Sequence, residues 1–433
     1  MFKVLNAAMF FYRSGDISAV DLICSELLEN GWHDSIIYCL RALTALEIGE
    51  FKRAEEYYLK SLSNSSCLPD TLLELQKDYF KTKYPENSSF CYDNTDKQTH
   101  LKRFILIKAW GFGFWSDVDH LLGQLLFAEM TDRIPVVHWG QNSLYTTSTC
   151  DNAFELYFNP ISKYSIYDLI NKDFTFFPPK WNNNNLLKDN LNKHSGPFSS
   201  MSGLYFLNKP QQVVVSDFHT ALNDLIPWIK KDHHLFGLKK ESIYKYLIKK
   251  YLRLRPELIK EIDDYFFCNM MHKMPVMALH VRGGHKCAED SQISSIYDMY
   301  QDKVDEYIAK YKNAALFLLT NDDRIVNYYK NRYKDKIILT DCIRTATDTD
   351  AHYYKHFDHY NLGKEVILDT FLAAKCDHFI GYGWSNLSCL VSYFKNWPKG
   401  SCTLLGDSMH SARLIYSPKQ YQLVPTRLFL KSL

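Results

Sequence analysis

The chain has 433 residues, which is too many for one hydrophobic core and predicts two or three domains. A formal net charge of +2 excludes a protein that binds nucleic acid through bulk positive charge. Eleven cysteines without a C-x-x-C pair indicate the reduced thiols of a cytoplasmic protein. No stretch approaches the roughly 18 apolar residues of a membrane span, so we expect no integral membrane segment.

The first segment repeats itself. AAMFFYRSGDISAVDLICSELL aligns with RALTALEIGEFKRAEEYYLKSL, so that Ala42 lies 34 residues after Ala8 and Ala54 lies 34 residues after Val20. This period is typical of tetratricopeptide helix hairpins. We therefore predict a small all-α, tetratricopeptide-like domain over residues 1–84. Two repeats favour a helical cap that docks on the rest of the chain, with a docking surface for a protein partner as the alternative.

A turn-rich stretch at 83–100 separates this segment from a βαβ unit. The unit comprises a strand over 104–107, a helix capped by Ser116 and running to 130, and a strand over 134–139. It predicts a Rossmann-like domain over 98–240. Within that domain the Asn-rich stretch 181–194 is typical of a solvated insertion.

The last part of the chain alternates apolar strands with helices of ten or more residues. Pro256 divides a helical stretch into two helices before this part begins. The expected strands are VMALHV, ALFLLT, KIILTD, HFIGYG and CTLLG. This alternation predicts a doubly wound parallel sheet in a second Rossmann-like domain over 241–433, with ligands bound beyond the carboxyl ends of its strands.

Polar residues that packing does not require follow the expected strands. The stretch MALHVRGGHKCAED, 277–290, ends a strand and then supplies an arginine, two glycines, a histidine, a lysine and two carboxylates. Three further segments are also predicted to end strands. They carry Asn321 with Asp322, Asp369 in EVILDTF, and Gly383, Ser385, Asn386 and Ser388 in GYGWSNLS.

Two of these segments together predict a diphosphate site. Ser385 and Asn386 open a helix whose free N–H groups and positive end suit a phosphate. Arg282 offers a planar fork that matches a pair of phosphate oxygens, and Lys286 adds a point charge. The alternative is an ion pair between Arg282 and the carboxylates at 289–290, but the intervening glycines keep the backbone open for close approach.

Taken in order, these motifs resemble a family: the fucosyltransferases of the core α1,6 and nodulation-factor types, and more distantly the protein O-fucosyltransferases. The resemblance covers about residues 104–395. It rests on H-x-R at 280–282, a lysine four residues beyond the arginine, a T-D-D-like strand end at 320–322, V-I-L-D at 366–369 and an S-N pair at 385–386.

The resemblance implies a GT-B-like pair of Rossmann-like domains, with GDP-fucose held by the second domain, an inverting displacement, and no metal. The implied catalytic residues are Arg282 and Lys286 at the diphosphate and Asp290 or Glu289 as base. The implied donor-binding residues are His280, Asn321, Asp322, Asp369, Gly383, Ser385 and Asn386. The implied acceptor-side residues are Gly111, Gly113, Asp117 and His120, with simple helix packing as the alternative for this turn.

The sequence also departs from the family pattern. Gly283 stands where the family often has a second arginine, and His285 stands where it has an aspartate before the lysine. His285 is therefore a further candidate for the base, since histidine titrates near neutral pH. Another GDP-sugar as donor, or an inactive site, stays open.

A metal site is the strongest rival interpretation. Asp348-Thr349-Asp350 matches the metal-binding D-x-D triplet, and four residues follow it at ligand-like spacing: His352, His356, Asp358 and His359. The triplet is common, so we favour a loop that contacts the acceptor. A nicotinamide dehydrogenase is disfavoured, because the turn at 111–116 lacks the third glycine and no acid follows the second strand.

The sequence thus predicts a glycosyltransferase, a fucosyltransferase in the first place, that acts on a glycan or protein acceptor in a process such as polysaccharide biosynthesis. The alternative class is a transferase-like binding module whose helical repeats recognise a protein partner. The sequence leaves the acceptor, the linkage and the oligomeric state open.

Overall fold

The computed structural model describes residues 2–13, 16–47, 50–63, 102–170, 172–177, 181–189, 211–216, 222–226, 229–283, 293–346, 351–354, 356–406, 408 and 410. Within these residues, no helix is both long enough and apolar enough to cross a membrane. The eight described cysteines are all free thiols, as expected.

The chain begins with two helical hairpins. Their helices are α1 (Phe2–Arg13), α2 (Ile17–Glu29), α3 (Ser35–Glu47) and α4 (Phe51–Ser63). The last residue of α3 lies 34 positions after the last residue of α1, as the repeat predicts. The first residue of α4 likewise lies 34 positions after the first residue of α2. Ala8, Ala42, Val20 and Ala54 are fully buried, so the small residues lie where the helices pack. The tetratricopeptide classification and the boundary at residue 84 stay predictions.

The first sheet is parallel and has the strand order β2-β1-β4-β3. Its strands are β1 (Phe104–Lys108), β2 (Ile134–His138), β3 (Phe176–Phe177) and β4 (Val213–Ser216). Helix α5 (Phe114–Met130) joins β1 to β2, which confirms the βαβ unit. Short helices α6 (Phe154–Tyr157), α7 (Tyr167–Ile170) and α8 (Leu222–Leu225) lie in the connections.

Two helices lead into the second sheet. Helix α9 (Lys240–Tyr251) and helix α10 (Pro256–Asn269) are separate, and Pro256 occupies the first turn of α10, where its missing N–H costs nothing. The predicted break at this proline is confirmed. Helix α9 also packs against α5, which belongs to the first sheet.

The second sheet is parallel with the strand order β7-β6-β5-β8-β9. In chain order its elements are β5 (Val276–His280), α11 (Ile293–Lys310), β6 (Ala315–Leu319), α12 (Asp323–Tyr333), β7 (Ile337–Ile338), α13 (His359–Lys375), β8 (His378–Tyr382), α14 (Asn386–Phe394) and β9 (Cys402–Leu405). The chain winds outward from β5 to β7 and then returns to the other side of β5. This order confirms the doubly wound sheet and places its topological switch point between β5 and β8.

The largest apolar core lies between the two sheets. Ile105 and Ile107 of β1 point into it, whereas Phe104 and Leu106 point into a smaller cluster on the outer face. Strands β5 and β6 divide their side chains in the same way, and α5, α13 and α14 complete the shared core. Alternation of this kind is the pleat of a sheet covered on both faces. The predicted α/β class, with two Rossmann-like sheets, is therefore confirmed.

The Asn-rich stretch differs from the prediction. Trp181 and Leu186 are 2% and 0% exposed, so the part of the stretch over 181–189 packs against the first sheet. The buried ammonium of Lys108 donates to the carbonyl of Leu186 over 2.7 Å. The expectation of a solvated insertion was wrong for these residues, because two apolar anchors outweigh the run of asparagines between them.

Candidate functional site

The switch point of the second sheet brings two predicted segments together. In the pairing of β5 with β8, His280 stands opposite Gly381, so Arg282 and Gly383 each follow two residues later at neighbouring strand ends. A hydrogen bond of 2.6 Å joins His280 Nδ1 to Ser388 Oγ in the first turn of α14. The strand end that carries Arg282 and the start of α14 therefore border the same crevice.

Glycine is required at position 381 for this close approach. A Cβ atom there would overlap the hydroxyl of Ser388, which belongs to the helix that follows the strand. Without a side chain at 381, the strand and the first turn of α14 can pack directly. This contact sets the distance between the strand ends and the helix start.

The start of α14 differs from the starts of the two preceding long helices of this sheet. Asp322 caps α12 by accepting from the N–H of Arg324, and Asp358 caps α13 by accepting from the N–H of Tyr360. At α14, the N-cap Ser385 makes no side-chain capping bond. The first-turn amides and positive end of α14 are thus not covered by its own cap, which suits them to an anion.

His280 is buried and neutral. Its side chain is 4% exposed, and burial, helped by the charge of Arg282, lowers the pKa of the imidazole to about 3. The hydroxyl of Tyr300 donates to its carbonyl over 2.5 Å. The hydrogen bond from Nδ1 to Ser388 makes the His280 side chain a link between β5 and α14. The other ring nitrogen, Nε2, is the one left for contact with a ligand.

Asp369 lies in the middle of α13, so its grouping with the strand ends was wrong. The capped helix extends to Lys375 through the apolar V-I-L run that resembles a strand. The carboxyl is buried and accepts from Thr340 Oγ1 over 2.5 Å. Burial raises its pKa to about 6, against the lowering effects of Thr340 and the nearby guanidinium of Arg344.

Asn321 and Asp322 stand at the end of β6, as the sequence predicts. The carboxylate of Asp322 is engaged as the cap of α12 and in an ion pair with Arg324 at 2.6 Å. A Cβ atom at Gly283 would come within 2.5 Å of the Asp322 Cβ. Packing therefore explains why glycine occupies the position where the family often has an arginine. The donor-binding roles of Asn321 and Asp322 stay predictions.

The acceptor-side residues form a closed turn. Asp117 is fully buried, and its carboxylate accepts from the N–H of Gly111 over 3.0 Å and from that of Phe112 over 3.3 Å. Helix α5 begins at Phe114 with Gly113 as its N-cap, so the expected cap at Ser116 was wrong. His120 is also fully buried. This geometry is that of a packed turn, and contact of these residues with an acceptor stays a prediction.

Sequence reasoning missed a cavity beyond β2. Its volume is about 350 Å³, and its lining residues are His138, Cys150, Asp151, Asn152, Glu155, Leu156, Ser165, Ile166 and Tyr167. Burial, with the charge of Lys108, lowers the pKa of the His138 imidazole. Among the described residues, the lining carries two carboxylates and no lysine or arginine, which suits hydroxyl-bearing ligands rather than anions. Only the position of His138 at a strand end could have signalled this cavity.

Several predicted residues lie outside the described part of the chain. They are His285, Lys286, Glu289 and Asp290 of the first segment, together with Asp348 and Asp350 of the rival metal triplet. The assignments of the base and of the second diphosphate cation therefore stay predictions.

The described part of the rival metal loop is engaged in structural contacts. His359 lies with Nδ1 2.6 Å from the Leu144 carbonyl and Nε2 3.3 Å from the Tyr354 carbonyl. His352 Nδ1 lies 3.4 Å from the hydroxyl of Tyr145. These contacts tie the loop to the connection beyond β2, so the loop borders the side of the molecule that holds the missed cavity.

Comparisons with known proteins were made by sequence and by structure. No protein-family model matches the sequence, and no curated protein matches it. Among solved structures, NodZ α-1,6-fucosyltransferase soaked with GDP-fucose matches over 68% of this chain and 92% of that chain, at 17% identity and a TM-score of 0.44. FUT1 of Arabidopsis thaliana in complex with GDP matches over 75% of this chain and 73% of that chain, at 11% identity and a TM-score of 0.42.

POFUT1 in complex with GDP matches over 67% of this chain and 95% of that chain, at 15% identity and a TM-score of 0.42. At these scores the likeness assigns no activity to this chain. A function has to be argued from the crevice itself.

Proposed function

We propose that this protein is a glycosyltransferase that transfers L-fucose from GDP-fucose to a glycan or protein acceptor. The observation that carries the proposal is the meeting of two segments at the switch point of the second sheet. The His280–Ser388 hydrogen bond holds the strand end before Arg282 against the uncapped start of α14. A strand end that carries an arginine and borders a helix start without a side-chain cap suits a diphosphate.

In the proposed reaction, the acceptor hydroxyl oxygen attacks the anomeric carbon of the donor sugar. The bond from that carbon to the β-phosphate oxygen breaks, and GDP leaves with the electron pair. Arg282, Lys286 and the amides of α14 stabilise the charge that develops on the leaving diphosphate. The proton of the hydroxyl passes to a base among Asp290, Glu289 and His285. These positive groups stand in for a divalent metal, so the proposed reaction runs without one.

The acceptor approaches, in this proposal, from the side of the first sheet. The cavity beyond β2 supplies the carboxylates of Asp151 and Glu155, and Tyr167 on its rim is 50% exposed. Carboxylates accept hydrogen bonds from sugar hydroxyls, and an exposed aromatic ring packs against the apolar face of a sugar. The acidic lining favours a neutral acceptor unit over an anionic one.

The test is a measurement of GDP release from GDP-fucose by the full chain, with and without glycan and peptide acceptors, beside GDP-mannose as a competing donor. Acceptor-dependent release from GDP-fucose supports the proposal. Release from GDP-mannose alone would replace the donor while keeping the reaction class. Absence of turnover, together with a melting temperature that no nucleotide shifts, would contradict the proposal and favour a binding module that recognises a protein partner through α1–α4.

A further inference from the structure

The turn that precedes α9 carries two adjacent histidines that no sequence motif marked. The N–H of His233 donates to the Lys230 carbonyl over 3.1 Å, and the N–H of Phe236 donates to the His233 carbonyl over 2.9 Å. Leu235 is 1% exposed and anchors the turn in the largest apolar core. His233 is half-buried and His234 is exposed, so a fixed backbone presents two imidazoles that solvent ions can reach.

The two imidazoles lie beside Glu129, in the last turn of α5. One nitrogen of each histidine and one carboxylate oxygen of Glu129 all lie within 4.8 Å of one another. The ligands of a tetrahedral zinc ion stand about 3.4 Å apart when each bond is about 2.1 Å long. The three atoms therefore need to approach one another by at most about 1.4 Å, which is within reach of side-chain rotation.

Hydrogen bonds orient the Glu129 carboxylate through one of its oxygens. Oε1 accepts from Tyr251 Oη over 2.5 Å, from Tyr246 Oη over 3.3 Å and from Lys250 Nζ over 2.5 Å. Among the described residues, no hydrogen bond reaches Oε2. The bonds to Oε1 thus fix the carboxylate and leave the other oxygen for a metal, and outer contacts of this kind hold metal-binding carboxylates in place.

We propose that Glu129, His233 and His234 bind a zinc ion, which joins the turn before α9 to the end of α5. Two imidazoles and one carboxylate form a ligand set that zinc takes with water in the fourth position. Magnesium prefers oxygen ligands and would not compete for this set. The ring of Tyr246 meets the His234 imidazole edge to face at 5.2 Å and so helps to orient it.

Two contacts oppose the ion and limit its affinity. The N–H of Leu235 donates to His233 Nδ1 over 3.2 Å, so a bond from zinc to Nε2 requires the tautomer with its proton on Nδ1 and breaks this contact. The ammonium of Lys250 is 44% exposed, shares the Glu129 carboxylate and repels a cation there. Removal of the Lys250 charge should therefore strengthen zinc binding, which a purely structural ion pair does not predict.

The proposed zinc site lies at the amino edge of the first sheet. Helix α5 follows β1 and precedes β2, so its last turn stands at the edge where β2 begins. The proposed donor site is at the carboxyl edge of the second sheet. The ion stabilises the junction of α5 with α9 and takes no part in the transfer step, so its removal below the melting temperature should leave turnover unchanged. The inference does not rest on the proposed function.

The test is a zinc titration of the full chain by calorimetry, after EDTA treatment and removal of the chelator, with melting temperatures measured alongside. The variants are His234→Ala, Glu129→Gln and Lys250→Gln. His272→Ala is the matched control, because His272 is exposed and belongs to another element, the 3-10 turn Met271–Lys273. The absorption spectrum with Co²⁺ in place of zinc distinguishes imidazole ligands from the cysteine thiolates of the chain.

We expect one zinc ion per chain, a melting temperature that zinc raises, and no displacement of zinc by Mg²⁺. Zinc affinity should fall at least about tenfold in His234→Ala and in Glu129→Gln, because each loses a ligand or its charge. It should rise about tenfold in Lys250→Gln, because the repelling charge is gone. His272→Ala should match the wild type, and the cobalt spectrum should lack thiolate bands.

Three results would overturn the inference. Absence of stoichiometric binding would remove the site. Binding that His234→Ala and Glu129→Gln leave unchanged would mean an adventitious ion only, held by other histidines or by thiolates. A zinc affinity that Lys250→Gln lowers or leaves unchanged would exclude Glu129 as a ligand. If Glu129→Gln does not fold, His234→Ala decides, since its exposed side chain can be removed without loss of core contacts. GDP release is measured separately, so none of these results bears on the proposed function.

Discussion

The carboxyl edges of the two sheets differ in the groups that they hold: a buried ion pair lies at the first, and a helix start without a side-chain cap lies at the second. At the first sheet, the buried ammonium finds its counter-ion within the chain. Lys108, 1% exposed at the end of β1, donates to the Leu186 carbonyl and lies 3.4 Å from Asp189 Oδ1. The other oxygen of Asp189 accepts from the N–H of Gln141 over 2.8 Å. Gly140 leaves room for that carboxylate, because a Cβ atom there would overlap it.

At the second sheet, the N-cap Ser385 of α14 makes no side-chain capping bond, and the Asn386 side-chain oxygen is buried without a partner among the described residues. Buried polar atoms without a described partner also lie near the first edge, at Trp139 Nε1, Asn142 Oδ1 and Ser216 Oγ. The helix start without a side-chain cap, rather than the presence of unsatisfied atoms, therefore distinguishes the second edge, which is where we propose that the donor binds.

Arg282→Ala is expected to have the largest effect. Loss of a guanidinium that stabilises the leaving diphosphate should lower turnover of GDP-fucose by about 10³-fold. The melting temperature should change little, since the side chain is only partly buried at a strand end. Arg332→Ala serves as the control for loss of a charge in the same domain. A wild-type rate in Arg282→Ala would show that the carboxyl edge of the second sheet takes no part in the reaction.

Asp189→Ala tests the buried ion pair at the carboxyl edge of the first sheet. The side chains of Lys108 and Asp189 are 2% and 15% exposed, so removal of the carboxylate leaves a buried ammonium without its counter-ion. We expect a loss of about 3 kcal/mol in the free energy of unfolding, measured by urea titration. GDP affinity should stay unchanged, because the second edge is untouched.

The control for this variant is Asp305→Ala, which breaks an exposed pair with Arg332. Its side chains are 49% and 41% exposed, so the expected loss is at most about 1 kcal/mol. Equal losses in the two variants would mean that the first edge is not a buried ion-pair site.

The sequence predicted the strands and helices that form both edges better than it predicted the side-chain contacts there. Strands β5 and β6 were predicted because a strand buried on both faces appears as an unbroken apolar run. Residues 280–282 and 385–386 then had to meet, since neighbouring parallel strands end at one edge. The start of α14 was also predicted correctly from Ser385, a typical N-cap residue.

The features that the sequence could not predict depend on contacts between distant residues. Asp189 and Lys108 are 81 positions apart, and neither belongs to a local pattern (189 − 108 = 81). Asp369 was wrongly grouped with the strand ends, although the alternation of strands and helices already predicts a helix near 364–375, and the cap at Asp358 begins a helix that contains it.

The pH dependence of nucleotide binding tests the carboxyl edge of the second sheet. Burial raises the pKa of Asp369 to about 6, and the donor-binding role that the family resemblance implies for it requires the ionised carboxylate. GDP affinity should therefore be constant above about pH 6 and fall by up to about tenfold per pH unit below it. Asp369→Asn should remove most of this dependence while keeping the shape of the site. A wild-type affinity that is flat between pH 5 and 7 would contradict a role for Asp369 in donor binding.

Ser388→Ala should have a smaller effect. It removes the hydrogen bond to the buried His280 ring and leaves Nδ1 without its partner, at a cost of about 1–2 kcal/mol in the free energy of unfolding. GDP affinity should fall as well, because the hydrogen bond that links β5 to α14 is lost. Ser392→Ala, on the same helix with its hydroxyl bonded to the Cys389 carbonyl, is the control. If only the free energy of unfolding changes, the hydrogen bond stabilises the fold and does not shape the crevice.

A chelator should have no effect on turnover. This experiment tests directly whether the carboxyl edge of the second sheet acts without a metal. If Arg282, Lys286 and the α14 amides carry the diphosphate charge, then turnover of GDP-fucose in excess EDTA should equal turnover in Mg²⁺ or Mn²⁺. A rate that EDTA abolishes and Mn²⁺ restores would move the charge-bearing role from these groups to a metal. The rival loop would then regain its candidacy, since His352 and Asp358 stand at its described end, and His352→Ala would be the next variant to assay.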